Sequence, residues 1–116
     1  MSADCLFCRI VAGEIPATVV RETGRLLAFR DIDPKAPVHV LIIPKAHHAD
    51  VAELAGTDPA LAGDLLAFAA DVAKGEGLAA NGYRTIFNSG PHSGQEVPHV
   101  HAHVLGGVPL GPMICR

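Results

Sequence analysis

Three histidines recur at alternate positions in a run otherwise made of valine, alanine and leucine: His99, His101 and His103 in "HVHAHVL". In an extended strand successive side chains point to opposite faces, so the three imidazoles share one face and Val100, Ala102 and Val104 share the other. Same-face neighbours lie roughly 6.5–7 Å apart at the Cα level. That spacing suits successive atoms of one elongated ligand better than three bonds to one metal ion. Imidazole is substantially neutral near pH 7 and still nucleophilic, so such a row offers an attacking nitrogen flanked by groups that hold an anion or pass a proton. A lone strand histidine is ordinarily a half-exposed polar residue. Three in register beside the glycine-rich "GPHSGQEVP" point instead to phosphorus chemistry at a nucleotide.

A second group of reactive side chains stands near the N-terminus, where Cys5 and Cys8 in "CLFC" are spaced i, i+3 and can face the same way on a helix. They fit a pair of small apolar residues in a helix–sheet contact, since free cysteine is often buried. They also fit a redox pair, although the βαβ pattern usual for that is absent. A metal ion is the third use, and it needs two more ligands. The segment "IIPKAHH" offers His47 and His48, and His99 opens the triad.

The elements that must position these groups follow from periodicity. Asp4 is expected to cap a short helix with Phe7, Ile10 and Val11 on one face, ended by Gly13 and Pro16. "TVVRE" and "RLLAFRDI" read as two strands around a turn at Thr23 and Gly24. "VHVLIIP", which carries His39, reads as a buried strand closed by Pro44. A second helix starts at Asp58-Pro59, buries Leu61, Leu65, Ala69 and Val72, and ends around Lys74, Gly75 and Gly77. "GYRTIFNS" and "HVHAHVL" supply the last two strands. The expected architecture is α+β: a five-stranded, mainly antiparallel sheet with two helices to one side, residues 1–116 forming a single domain.

Composition narrows the function classes. A chain of 116 residues with 49% hydrophobic content can bury one small core. Its formal charge of −3 and scattered Lys and Arg residues argue against nucleic-acid binding. "VHVLIIP" is too short to cross a membrane, and "ALAGDLLAFAADVA" is interrupted by Asp64 and Asp71. The start "MSADCLFCRI" lacks the features of a secretory signal, and three cysteines make a disulfide framework unexpected, so a reducing cytoplasm is the expected compartment. Cys115 has no partner in this scheme.

"PHVHAHVLGG" resembles the H-φ-H-φ-H-φ-φ signature of the histidine triad (HIT) superfamily, and the likeness runs through "GEIPA", "FRDIDPKAPVHVLIIPK", "GYRTIFN" and "SGQEVPHVHAHVLGGVPLGPM". The glycine pair after the triad and the "PLGPM" tail resemble its nucleotide-binding branch more than its dinucleoside polyphosphate hydrolase branch. That resemblance implies hydrolysis of purine nucleoside 5'-phosphoramidates. His101 would form a nucleotidyl-histidine intermediate, with His103 holding phosphate oxygens, and His39 and His99 would complete the catalytic set. Asp31 would bind the ribose hydroxyls, although a turn-capping carboxylate before Asp33-Pro34 explains it equally well. Ile32 would line the base or sugar pocket, and Asn88, Gly94, Gln95 and Glu96 would contact the phosphate and leaving group. Glu96 stands where some members carry serine. A carboxylate there would repel a phosphate unless protonated or turned toward a cationic amine.

Some members that begin with C-x-x-C hold structural zinc, which maps here onto Cys5, Cys8, His47 and His99, with His48 as the rival to His47. The resemblance further implies a two-fold homodimer of ten strands, with "VPLGPMICR" near the partner's site. The expected contact surfaces are "GYRTIFN" and the second helix at Leu66 and Phe68, because an uncovered sheet edge is usually paired. Two rival activities remain at this point: a dinucleoside polyphosphate or nucleotide-sugar hydrolase or transferase using the same histidine, and a zinc-stapled binding module with little turnover.

Overall fold

Alternating apolar residues and tight turns build one antiparallel sheet in the computed structural model, which describes residues 4–114. β1 (Val19–Glu22) turns back into β2 (Leu26–Arg30) at Thr23, whose Oγ1 accepts from the Leu26 N–H at 3.1 Å. β2 pairs with β3 (Val38–Pro44) from Leu26↔Pro44 to Arg30↔Val40. β5 (Ala102–Gly106) lies between β3 and β4 (Tyr83–Phe87), giving the order β1-β2-β3-β5-β4 with every pairing antiparallel. β3 and β5 are therefore inner strands, and the histidines they carry have a paired strand on each side.

The two faces of the sheet carry different cores. Ala28, Val40, Ile42, Ala102 and Val104 face α3 (Pro59–Gly75) and bury Leu61, Leu65, Ala69 and Val72, the stripe its 3.6-residue period predicts. Asp58 starts this helix by accepting the Leu61 N–H at 3.0 Å, with Pro59 next in line. Phe68 lies in this core at 6% exposure, so it is no contact residue for a second chain, whereas Leu66 is 56% exposed. The opposite face carries Leu27, Phe29, Leu41 and Ile43 under α1 (Leu6–Val11), through Phe7 and Cys8. The helices thus sit on both faces rather than one. Residues of even and odd parity along β2 and β3 are both apolar, and each face needs its own cover.

Three local expectations change. Cys5, not Asp4, caps α1, its Sγ accepting from the Cys8 N–H at 3.4 Å. A further helix, α2 (Val51–Thr57), precedes α3 and is capped by Asp50, which accepts from the Glu53 N–H at 2.9 Å. It buries only Leu54, so its sequence carried almost no apolar period to read. β5 begins at Ala102, so of the triad only His103 lies in the paired strand. Pro98 has no N–H to give a ladder, and the chain turns there: the His99 N–H bonds to the Val97 carbonyl at 2.8 Å and the Val100 N–H to the His48 carbonyl at 2.7 Å. The alternation still holds before the pairing starts. Val100 joins Ala102 and Val104 in the α3-side core while the imidazoles face the other way.

Candidate active site

The face of the sheet under α1 opens into a cleft of about 740 Å³. One wall is apolar, from Leu6, Phe7 and Ile10 on α1 and Phe29 and Leu41 on the sheet. The other carries Asp31, Asn88, Glu96, His39, His101 and His103. An apolar slot that ends in a few convergent polar groups is the usual form of a small-molecule site.

Hydrogen-bond partners assign a tautomer to each imidazole. A backbone carbonyl can only accept, so His101, whose Nδ1 lies 2.8 Å from the His99 carbonyl oxygen, carries its proton on Nδ1 and keeps the Nε2 lone pair. The relay through the other two runs the opposite way. The Lys35 N–H donates to His39 Nδ1 at 3.0 Å, which puts the His39 proton on Nε2, 2.9 Å from His103 Nδ1. His103 then accepts at Nδ1 and presents an Nε2–H. The His101 and His103 ring centroids are 5.0 Å apart. The site therefore offers one lone pair and, beside it, one N–H donor.

Burial favours the neutral form of His103 and His39. Desolvation, reinforced by the neighbouring His101 and His39, pushes the His103 pKa down to about 4. Desolvation lowers His39 as well, opposed by the Asp31 carboxylate, whose Oδ2 is 3.4 Å from His39 Nε2. Asp31 also accepts the Asp33 N–H on Oδ1 at 2.8 Å, so its turn-capping role and its place on the cleft coexist. Asp31, His39 and His103 could together approach a cation, yet both His39 nitrogens are already engaged.

The remaining residues fall into three places. Ile32 is fully exposed at the cleft rim, and Asn88, Gly94 and exposed Glu96 line the cleft. Gln95 does not reach the cleft: its Oε1 accepts the Gly90 N–H at 2.8 Å and its amide nitrogen donates to the Ala49 and Val97 carbonyls at 2.8 and 3.1 Å. It braces the glycine-rich loop instead. His99 does not line the cleft either. Completely buried, it donates from Nε2 to the Pro44 carbonyl at 2.8 Å and turns Nδ1 toward Cys5 Sγ at 3.4 Å and Cys8 Sγ at 3.6 Å. Burial pushes its pKa to about 4.

His47 Nδ1 completes this group 3.3 Å from Cys8 Sγ, and the four ligand atoms lie within 4.8 Å of one another, so the set could hold a metal ion. His48 points elsewhere, with Nδ1 3.8 Å from Glu53 Oε1. Sequence reasoning missed the apolar wall. Phe7 and Phe29 show only an ordinary core period, and nothing in that pattern separates a cleft wall from a core. Cys115 and Arg116 lie outside the described residues.

Residues 12–110 match the HIT domain family. The purine nucleoside phosphoramidase of Escherichia coli K12 is 43% identical over 116 residues, spanning 100% of this chain and 98% of its own. A HIT family hydrolase from Clostridium thermocellum superposes with a TM-score of 0.93 at 45% identity, covering 99% of this chain and 100% of that one. A HIT family hydrolase from Legionella pneumophila Philadelphia 1 gives 0.89 at 50% identity, with coverage of 93% and 96%.

The low His103 pKa has a consequence for stability. The unfolded chain binds its proton near the ordinary value of about 6.5, so between that pH and about 4 the unfolded state holds more protons and folding stability falls as the pH drops. Urea unfolding from pH 7 to pH 4 is expected to lose more stability in the wild type than in His103→Gln, by up to roughly 3 kcal/mol. Parallel pH profiles would contradict the assignment.

Proposed function

The chain belongs to the HIT domain family, and from that premise we propose that it is a purine nucleoside phosphoramidase, hydrolysing the P–N bond of nucleoside 5'-phosphoramidates through a nucleotide held covalently on His101. The observation that carries this reading is the hydrogen bond from His101 Nδ1–H to the His99 carbonyl at 2.8 Å, which reserves the Nε2 lone pair on a ring that lines the cleft. A nucleophile oriented in this way needs no prior deprotonation.

In this mechanism the apolar wall of Leu6, Phe7, Ile10 and Phe29 takes the purine, and Ile32 closes over the sugar. Asp31 accepts the ribose hydroxyls with the lone pairs its turn bond leaves free. His101 Nε2 attacks the α-phosphorus, the P–N bond breaks, and the amine takes a proton at the solvent-facing mouth, where Glu96 and Asn88 line the opening. His103 donates Nε2–H to a non-bridging oxygen as charge gathers there, and its neutrality keeps that donor in one orientation through the relay from Lys35 and His39. Water then resolves the nucleotidyl-histidine, releasing the nucleoside monophosphate and regenerating the His101 lone pair.

The Cys5, Cys8, His47, His99 set is read as a structural zinc site. Ligand bonds of about 2.3 Å to sulfur and 2.05 Å to nitrogen in a tetrahedron would put sulfur and nitrogen about 3.6 Å apart, and three of the four sulfur–nitrogen separations here are 3.3, 3.4 and 3.6 Å. The His99 Nε2–H bond to Pro44 is the outer contact that turns Nδ1 toward an ion. Zinc bound there closes the four positions and leaves none for substrate. Cysteines read as ligands of an ion rather than as a disulfide suit a reducing, cytoplasmic setting. A two-fold dimer is read from β4, an edge strand, together with exposed Leu66 and Tyr83.

His101→Gly is expected to retain AMP binding within about threefold while lowering hydrolysis of an adenosine 5'-phosphoramidate by at least about 10³-fold. Substantial turnover in that variant would sink the mechanism, and release of a nucleotide from dinucleoside polyphosphates in preference to an amine would redirect the substrate class. Native mass spectrometry should record two chains carrying two zinc ions. An active, zinc-free monomer would overturn both the metal and the dimer.

A further inference from the structure

His99 does two things at once. Its imidazole is gripped at both nitrogens, by the Pro44 carbonyl at 2.8 Å and by the cysteine sulfurs of the N-terminal segment at 3.4 and 3.6 Å. Its main-chain carbonyl is the acceptor that holds the His101 proton on Nδ1. That carbonyl is not held by the sheet, because pairing of β5 starts only at Ala102. The stretch before it is tied down by the His99 N–H to Val97, the Val100 N–H to His48, and the grip on the His99 ring.

Phe7, carried on α1 between the two cysteines, adds a second contact. Its ring meets His99 edge-on at 5.9 Å and His101 at 5.0 Å, with interplanar angles of 74° and 85°. It is braced from behind by Phe29 at 5.6 Å. α1 has only six residues, too few to hold a helix by itself. It is anchored by the cysteine pair and the packing of Phe7, with Ile10 and Val11 beside it.

We propose that α1 is the positioning element for the nucleophile: the Cys5, Cys8, His47, His99 cluster and Phe7 hold His101 in one tautomer, so opening the cluster slows nucleotide transfer even at saturating nucleotide, beyond any weakening of binding at the purine wall that α1 also carries. His99 and Phe7 are positioning residues in this account and touch no reacting atom. With the cluster open, the His99 carbonyl drifts and His101 Nδ1–H loses its fixed acceptor. The ring then populates the tautomer with its proton on Nε2, which has no lone pair for phosphorus. The step affected is the formation of the Nε2–P bond as the P–N bond breaks and the amine leaves with a proton. Asp31 and Asn88 follow β2 and β4, away from the cluster, so the polar groups read as nucleotide ligands stay where they are, while Leu6, Phe7 and Ile10 of the purine wall move with α1.

The inference rests on the reading of His101 as the nucleophile, and three preparations separate the two: zinc-loaded wild type, chelator-treated wild type, and Cys8→Ser. On each, nitrogen-15 NMR reads the His101 tautomer, calorimetry reads AMP affinity, and single-turnover labelling with an adenosine 5'-phosphoramidate reads adenylation. The loaded wild type should show one tautomer. The other two should show a mixture, adenylate on the order of tenfold or more slowly at saturating substrate, and bind AMP no more than about tenfold more weakly. Zinc should restore the rate of the chelated wild type and not that of Cys8→Ser. An unchanged tautomer and rate in both opened forms would overturn the proposal, as would loss of AMP binding or of the fold in both, which would make the cluster a staple alone. Absence of adenylation in the loaded wild type would instead count against His101 as nucleophile.

Discussion

A neutral imidazole has one N–H and one lone pair, and what each ring does here is decided by which nitrogen meets the backbone. His101 faces a carbonyl on Nδ1 and so keeps a lone pair on Nε2. His39 faces the Lys35 N–H on Nδ1 and so sends its proton to His103, which presents a donor. His99 faces the Pro44 carbonyl on Nε2 and so turns a lone pair toward the cysteines. Contacts between 2.8 and 3.0 Å thus leave four histidines of identical intrinsic chemistry with different groups to offer: a lone pair on His101 and on His99, an N–H on His39 and on His103.

The contact between His39 and His103 needs a backbone that does not move, and the sheet supplies it. β3 and β5 are inner strands, with His39 opposite Leu105 and Leu41 opposite His103, so His39 and His103 lie diagonally across one pair and their rings meet. The α3-side core of Val40, Ile42, Ala102 and Val104 lies beneath them and has no exposed atoms to speak of. Apolar packing on one face thus holds the polar relay on the other, while desolvation from both sides keeps His39 and His103 neutral enough to hydrogen-bond in a fixed direction.

The strands and α3 were legible because their signals are local. "VHVLIIP" is strand over Val38–Pro44 as its β-branched content indicates, and Asp58-Pro59 begins a helix as a cap followed by proline should. The shared face of the imidazoles also followed from a two-residue period. What was hidden depends on partners distant in sequence. Phe68 sits off the α3 stripe in sequence and is buried by tertiary packing. α1 crosses to the opposite face because Phe29 and Leu41 need cover there, and the short α2 offers little period to detect. Gln95 was read as a ligand contact, but a loop made of glycines has few side chains to brace it, and its amide is spent on that. Different uses for His99 and His101 came from the family resemblance alone, since the carbonyls that turn the two rings apart are reported by no sequence pattern.

The central claim is that the nucleotide passes through His101, so phosphorus undergoes two in-line displacements, each inverting its configuration. The most direct measurement is the stereochemical course of hydrolysis of an adenosine 5'-phosphoramidothioate of single configuration at phosphorus in isotopically labelled water. Net retention is the predicted result. Net inversion would mean that water attacks the substrate directly, with His101 acting only as a base, and would contradict the account.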